Sequence, residues 1–331
     1  RARRLARTRR RPGCASAALV DAGWAQLSAA ERMALFADVR AEVDAGRADV
    51  ADLLALAPRL LAEPTRIART PALAWFEDAA GYLAPAERQR LRAWLRAALA
   101  SALVVRGRRV TWLPGPDDDL LTDWVRRQVL PLVAASGDRA LRTEAVRLAR
   151  RWRTLPLGVQ PTILAVAAEV DGATFRRLRA DLATTPRVGE RRALLAALGG
   201  VTDPDRQREA LALALDPAIA PTEVLDLLYA APGLPQQAVV REFFMANQAA
   251  LAARLPESAT APAEVASILV GCDAAERDRE VAYVRATFGD VPGGAPEVAQ
   301  AIERADQCIA RRALLEPGLR RWLAALPKAT P

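Results

Sequence analysis

The sequence offers few residues whose types and spacing suit catalysis or metal binding. Among its 331 residues there is no histidine, which excludes an H-E-x-x-H zinc site, a Ser-His-Asp or Cys-His pair and a histidine-based pH switch. The motifs G-x-x-x-x-G-K, G-x-G-x-x-G and G-x-S-x-G do not occur either. We therefore predict no catalytic residue, no cofactor-binding residue and no metal ligand in this chain.

The three cysteines are the next candidates for chemistry. Cys14, Cys272 and Cys308 are far apart, and no two have metal-ligand spacing. This pattern excludes a disulfide framework and a zinc ribbon. Cys272 and Cys308 could form one bridge, but we expect buried free thiols, which pack as small apolar side chains. The cysteines therefore do not indicate whether the protein resides in an oxidising or a reducing compartment.

Three adjacent carboxylates at Asp117–Asp119 could suggest a metal site. They stand directly before an apolar helical pattern that begins at Leu120. Aspartates at a helix start cap its free N–H groups and meet the positive end of its dipole. We therefore predict a helix cap at this position and not a metal site.

The positive charge is concentrated at one end of the sequence. The net charge is +8, and the first 11 residues hold seven arginines and no acid, so they account for all but one of the eight charges. Residues 1–20 are predicted to be a basic, disordered arm, although such an arm can also bind phosphate or anionic lipid. Elsewhere acids and bases are interleaved, which disfavours a nucleic-acid surface.

Helix signals dominate the rest of the chain. Ser28 and Glu31 form a capping box, and Gly46 supplies a left-handed stop after the helix that follows. A second clear helix opens at Pro85. We predict one domain over residues 21–331, with at most two short strands and a brief extended connector near Gly107–Thr111.

From residue 138 onward the helices are short, paired and punctuated by glycine and proline. Stacked amphipathic helix pairs bury one continuous core, as repeat proteins do. We predict an all-α fold, an irregular HEAT- or armadillo-like α-solenoid of paired antiparallel helices. The predicted helices cover residues 138–151, 158–170, 171–184, 188–198, 204–215, 221–231, 235–247, 261–270, 274–288 and 295–325.

The sequence predicts a soluble protein, cytoplasmic or periplasmic. The longest uncharged stretch, near Leu155–Ala168, is too short for a membrane span and contains two prolines. An export signal after Arg9 is only faint, because Asp21 ends the apolar stretch early.

A series of helical motifs keeps its order over residues 21–326, and Glu190–Leu198 reads E-(R/K)-x-x-L-L-x-A-L. These motifs resemble the C-terminal helical domain of M1-family zinc aminopeptidases, of the bacterial type. The other matching segments are Leu27–Ala34, Val43–Leu54, Leu211–Asp216, Pro221–Glu223, Arg241–Leu251, Arg254–Pro256, Ala299–Glu303, Gln307–Arg312, Pro317–Leu319 and Trp322–Leu323.

The chain departs from the family pattern at several points. The G-Y-Y-R motif that precedes this domain is missing from residues 1–20, and Glu242 and Gln248 stand where aromatic residues are common. The zinc helix and the G-x-M-E-N loop of the catalytic half are also missing. The resemblance implies a severed or separately expressed lid domain, with zinc expected only in the missing catalytic domain.

The resemblance implies that this domain arches over the catalytic domain and closes the cavity where peptides bind. The expected partners are therefore the catalytic domain of an M1 aminopeptidase and its peptide substrates. Arg187, Arg191 and Arg241 are the candidates for binding a peptide's terminal carboxylate, because the guanidinium fork suits that group. Solvated surface arginines are the alternative for these three residues. The rival functions are a freestanding α-solenoid scaffold for a protein or peptide and, less favoured, a HEAT-like nucleic-acid binder.

Overall fold

A computed structural model describes residues 23–231, 233–254 and 269–327. The predicted arm at residues 1–20 and most of the helix predicted over 261–270 lie outside these ranges. The all-α prediction is confirmed: within the described ranges the strands are Val104–Val105 (β1) and Arg108–Arg109 (β2), one antiparallel hairpin. Its turn has positive φ at Arg106 and Gly107, as a tight two-residue hairpin turn requires.

Most consecutive helices in the described ranges are joined by short connections, and the hairpin lies in the longer segment between α4 and α5. Their bounds are Ala29–Asp44 (α1), Val50–Leu61 (α2), Arg66–Ala80 (α3), Pro85–Ala98 (α4), Leu120–Trp124 (α5), Leu130–Ala135 (α6), Arg139–Ala149 (α7), Gln160–Val170 (α8), Gly172–Ala183 (α9), Val188–Gly199 (α10), Pro204–Leu211 (α11), Pro221–Tyr229 (α12), Leu234–Ala246 (α13), Gln248–Ala252 (α14), Arg277–Phe288 (α15) and Gly294–Ala325 (α16). Single 3-10 turns cover Trp24–Gln26, Ala100–Leu103, Trp152–Thr154 and Ala212–Leu215, and a π-helical turn, Val125–Val129, joins α5 to α6.

The predicted capping signals are confirmed at the first helices. The Ser28 hydroxyl accepts from the Glu31 N–H at 3.3 Å, and the Glu31 carboxylate accepts from the Ser28 N–H at 2.9 Å. Gly46 follows α1 with a φ of 69°. The helix predicted from Pro85 is α4, with proline in its first turn. Local hydrogen bonding thus accounts for where these helices begin and end.

The three aspartates before α5 are engaged by the chain itself. Asp119 accepts from the Thr122 N–H at 2.9 Å, so the predicted cap is confirmed. Each aspartate also pairs with an arginine, two of them in the hairpin or its turn. The ion pairs are Arg108–Asp117 at 3.0 Å, Arg126–Asp118, and Arg106–Asp119 at 2.9 Å. The triplet therefore fastens the β hairpin and the π-helical turn to the start of α5.

The described residues group into two compact units. The first contains the residues up to Leu99 together with those from Arg311 onward, and the second is Ala100–Ala310. Helix α16 contributes residues to both units. The sequence-based prediction of one domain over residues 21–331 stays a prediction.

The first unit packs α1–α4 against the end of α16. Its core contains an aromatic cluster in which the Trp94 and Trp322 rings are 4.9 Å apart and nearly perpendicular, with Phe76 5.0 Å from Trp94. Gly318 on α16 lies so close to Val50 on α2 that no side chain would fit between them. Trp94 and Trp322 are half-buried, and their rings pack against the buried Phe76.

The second unit stacks alternate helices. Helix α8 packs against α6 and α10, and α10 packs against α12, while α7, α9 and α11 fill the positions between them. Side chains also hydrogen-bond about one repeat ahead: Trp152 donates to Asp181, 29 positions on, at 2.8 Å, and Arg191 to Glu223, 32 positions on, at 2.5 Å. These hydrogen bonds thus join successive helix pairs of the stack, while the superhelical arrangement of a solenoid stays a prediction.

The expectation of free thiols at Cys272 and Cys308 is wrong. These two cysteines form a disulfide, with their Cα atoms 5.3 Å apart. Cys272 follows Gly271, whose N–H donates to Glu280 on α15 at 2.7 Å, and Cys308 lies on α16. Tertiary packing of the 271–272 segment brings the thiols together across 36 positions. Cys14 lies outside the described residues.

Two features of the described residues bear on membranes and metals. No helix there combines the length and the hydropathy needed to cross a bilayer. In the same ranges no three cysteine or carboxylate side chains converge closely enough to hold a metal ion.

Candidate functional site

A cleft of about 490 Å³ opens in the second unit beside helix α9. We call it the α9 cleft. One wall is the exposed face of α9, and the other consists of the 3-10 turn Ala212–Leu215 and the loop before α12. The lining residues are Arg176, Arg179, Ala180, Leu182, Ala183, Arg191, Glu209, Leu213, Asp216, Ala218 and Ile219. The cleft therefore combines an apolar floor with five charged groups.

Helix α9 places its two cleft arginines on one face. The helix starts at a strong cap, where Asp171 accepts from the Thr174 N–H at 2.9 Å and from its hydroxyl at 2.5 Å. Hydrogen bonding by Thr174 lowers the pKa of the Asp171 carboxyl. Arg176 and Arg179 are three positions apart and so share a face, while the opposite face buries Phe175.

The facing loop is held in place by its backbone. Asp216 accepts from the Ala218 N–H through Oδ1 at 2.9 Å, which closes a tight turn. The Arg254 guanidinium donates to the carbonyl oxygens of Asp216 at 2.6 Å and Ile219 at 2.5 Å. Within the described ranges these contacts use only the backbone and Oδ1 of Asp216, so no described hydrogen bond reaches its Oδ2.

Two of the cleft arginines are already neutralised by carboxylates. Arg179 donates to Glu209 at 2.5 Å, and Arg191 makes a two-pronged contact with Glu223 at 2.5 and 2.8 Å. The hydrogen bonds from Arg191 lower the pKa of the Glu223 carboxyl, and Glu223 in turn raises the pKa of Arg191. The Arg179–Glu209 pair joins α9 to α11, and the Arg191–Glu223 pair joins α10 to α12.

Two other charged groups in the cleft have no such partner. Arg176 is exposed, and in the described part of the chain no carboxylate lies within ion-pair distance of it. Asp216 is also exposed, and no described arginine forms an ion pair with its carboxylate. Among the described residues, the cleft thus presents one cation and one anion that lack an oppositely charged partner.

The three arginines predicted to bind a peptide carboxylate occupy different environments. Arg187 is 78% exposed and contacts Glu190 at 3.0 Å. Arg191 lines the α9 cleft but also donates to the Leu182 carbonyl at 2.8 Å. Of the three, the structure brings only Arg191 into the cleft.

The third candidate, Arg241, is buried in a charged cluster. Its Nε donates to Glu280 Oε1 at 2.7 Å, and the two side chains are 9% and 3% exposed. The other oxygen of Glu280 accepts from the Gly271 N–H at 2.7 Å. The guanidinium fills the space that a side chain on Gly271 would occupy. Arg241 therefore joins α13 to α15 and to the segment that leads into the disulfide.

Sequence reasoning did not single out Arg176, Arg179 or Asp216. The available signal was the pair of arginines three positions apart on the exposed face of a predicted helix. The sequence held no sign that a loop 40 positions further on would face them, because that proximity arises from helix stacking.

Comparison with known protein families matches residues 13–307 to the family described as ERAP1-like C-terminal domain. Because the match covers most of the chain, the chain belongs to this family. The predicted relation to the C-terminal domain of M1-family aminopeptidases is thereby confirmed. Membership implies association with a catalytic aminopeptidase domain. A comparison with curated proteins found no match.

Proposed function

We propose that the chain is the lid domain of an M1 zinc aminopeptidase, of the bacterial type, and closes the peptide-binding cavity over the catalytic domain. The observation that carries this proposal is the family match over residues 13–307. A lid excludes water and completes a site without itself breaking bonds. The absence of histidine from the 331 residues fits a role of this kind.

Zinc chemistry belongs to the catalytic domain in this proposal. Zinc sites need three or four converging Cys, His or carboxylate ligands, and the described residues bring no three such side chains together. The residues present therefore do not fit a zinc site, and no step of the proposed lid function passes through a metal on this chain.

The arginines are the proposed contacts for peptides. Arg191 is favoured over Arg187 and Arg241 because it lines the α9 cleft, where a terminal carboxylate could receive charge-assisted hydrogen bonds. Glu223 holds the Arg191 guanidinium in one orientation, which limits the side-chain entropy lost on binding. Arg187 is freely accessible, whereas Arg241 would first have to leave Glu280.

An oxidising compartment is the better setting for this chain. Disulfides persist in the periplasm and outside cells and are rare in the cytosol, and Cys272 and Cys308 form one. Of the two compartments predicted from the sequence, we therefore favour the periplasm. The stacking of α6, α8, α10 and α12 supports the predicted HEAT-like solenoid.

The rival functions have weaker support. A freestanding scaffold for a protein or peptide remains the alternative, with the α9 cleft as its binding site. A nucleic-acid binder needs arginines free to track phosphates, but many arginines in the described ranges are paired with carboxylates, including Arg106, Arg108 and Arg126.

The test is titration calorimetry of the full chain with the zinc-loaded catalytic domain of an M1 aminopeptidase. The lid proposal predicts a one-to-one complex in the micromolar range or tighter. A long peptide with a free C-terminus should bind more tightly than its amidated form, and Arg191→Gln should reduce that difference. If neither the catalytic domain nor the free-carboxylate peptide binds, the scaffold becomes the better account.

A further inference from the structure

The α9 cleft carries a pattern of charge that the lid function does not explain. The pairs Arg179–Glu209 and Arg191–Glu223 are internally neutral. What remains is Arg176 on one wall and Asp216 on the other, each unengaged by a charged partner within the described ranges. An unpaired cation and an unpaired anion in one cleft are complementary to a ligand that carries both charges.

We propose that the α9 cleft binds a small zwitterion with an α-ammonium group, a carboxylate and an apolar side chain, that is, a free α-amino acid or a dipeptide. Arg176 would take the carboxylate through its forked guanidinium, which suits two parallel hydrogen bonds. Asp216 would accept from the ammonium through Oδ2, because its Oδ1 is already held by the Ala218 N–H.

The size and floor of the cleft fit this class of ligand. Its volume of about 490 Å³ lies in the lower part of the range for small-molecule sites. The floor is formed by short and branched apolar side chains, which favour an aliphatic ligand side chain over a charged one. They are Ala180, Leu182, Ala183, Leu213, Ala218 and Ile219.

The same charges exclude simpler ligands. A phosphate or dicarboxylate on Arg176 would bring further negative charge close to the unpaired Asp216. A diamine on Asp216 would bring further positive charge close to the unpaired Arg176. Specificity for a zwitterion therefore comes from repulsion of ligands that carry charges of only one sign, as well as from attraction of the two zwitterion charges.

This inference stands on the cleft alone and does not rest on the proposed lid function. Aminopeptidases release free α-amino acids, so under the lid proposal the cleft would take the product class of the enzyme. The experiment uses no catalytic domain. Its N-acetyl-leucine and Arg176 arms distinguish this site from the peptide contact proposed at Arg191, because that contact needs a carboxylate alone.

The experiment is titration calorimetry of the full chain with four probes: L-leucine, L-leucinamide, N-acetyl-L-leucine and leucyl-leucine. The first and last carry both charges, the amide lacks the carboxylate, and the acetyl compound lacks the ammonium. We expect leucine or leucyl-leucine to bind at millimolar concentrations or below, and each single-charge probe to bind at least about 10-fold more weakly. The tighter of the two zwitterions identifies the source as free amino acid or dipeptide.

Two variants test which residue binds each charged group of the ligand. Arg176→Gln should weaken leucine binding about 10-fold or more while leaving leucinamide unchanged. Asp216→Asn keeps the Oδ1 acceptor for Ala218. It should weaken leucine binding by the same factor and leave the binding of N-acetyl-leucine unchanged. Arg139→Gln, at an exposed position on α7 away from the cleft lining, is the matched control and should change nothing.

Three results would overturn the proposal. One is no binding of either zwitterion at millimolar concentration, with the melting curves showing that the protein is folded. Another is leucinamide or N-acetyl-leucine binding as tightly as leucine. The third is an equal effect of Arg176→Gln and Arg139→Gln.

Discussion

The buried pair between Arg241 and Glu280 provides the sharpest prediction about stability. Both side chains are almost completely shielded from water. The Glu280 carboxylate accepts hydrogen bonds from both Arg241 and the Gly271 N–H. The variant Glu280→Gln keeps the shape and an acceptor for Gly271 but leaves the guanidinium charge uncompensated. Removing one partner of a buried ion pair costs about 3–5 kcal/mol.

This loss corresponds to a large change in thermal stability. For a unit of this size, each kcal/mol shifts the melting temperature by roughly 2–4 °C, so Glu280→Gln should lower it by about 6–20 °C. The assay is thermal and urea unfolding followed by circular dichroism, with the free energy of unfolding taken from linear extrapolation.

Two further variants separate the buried charge from other causes. Glu276→Gln removes an exposed carboxylate that pairs with Arg279 just before the same helix, and it should cost less than about 1 kcal/mol. The double variant Arg241→Met/Glu280→Gln removes both charges and should recover more than half of the loss. A melting temperature for Glu280→Gln within the error of the Glu276→Gln control would refute the reasoning.

Three other predictions follow from the structure. Gly199→Ala should lower the free energy of unfolding by about 1–3 kcal/mol, because its methyl group would lie 2.7 Å from the Ala230 side chain just after α12. Gly189→Ala has open space around it and should not destabilise the protein; urea unfolding compares the two variants. Cys308→Ser should lower the free energy of unfolding by about 4 kcal/mol on the chain-entropy model, since the bridge closes a loop of 36 positions. A reducing agent should destabilise the parent chain by the same amount and should leave the stability of the variant unchanged. Hydrogen bonding by Arg191 lowers the folded-state pKa of Glu223 below its ordinary value of 4.5. The contribution of this pair to the free energy of unfolding is therefore complete above pH 4.5 and is lost as the pH falls through the folded pKa. Glu223→Gln should flatten this part of the curve of stability against pH.

Helix positions were predictable because their signals are local. The capping box at Ser28, the proline at Pro85 and the aspartate at Asp119 each act within one helical turn, and all three mark real helix starts. The π-helical turn Val125–Val129 carries no comparable signal. Its sequence reads as part of an ordinary amphipathic helix, and the arginine contact with Asp118 that accompanies it is set by tertiary packing.

The candidate site was much less predictable. Arginines were identified by their type, but whether one is buried depends on a partner far away in sequence, as Glu280 is for Arg241. The same limit applied to Cys272 and Cys308, whose pairing follows from how the segment at Gly271 packs. Neither the α9 cleft nor its unpaired charges could be located before the stacking of the helices was known.

The lid function itself is tested most directly by peptide hydrolysis. The measurement compares the catalytic domain of an M1 aminopeptidase with and without the full chain, on a long peptide and on a single amino-acid amide. A lid that closes the peptide-binding cavity should change the rate on the long peptide several-fold and leave the rate on the small amide nearly unchanged. Equal rates on the long peptide with and without a saturating amount of the chain would contradict the lid function.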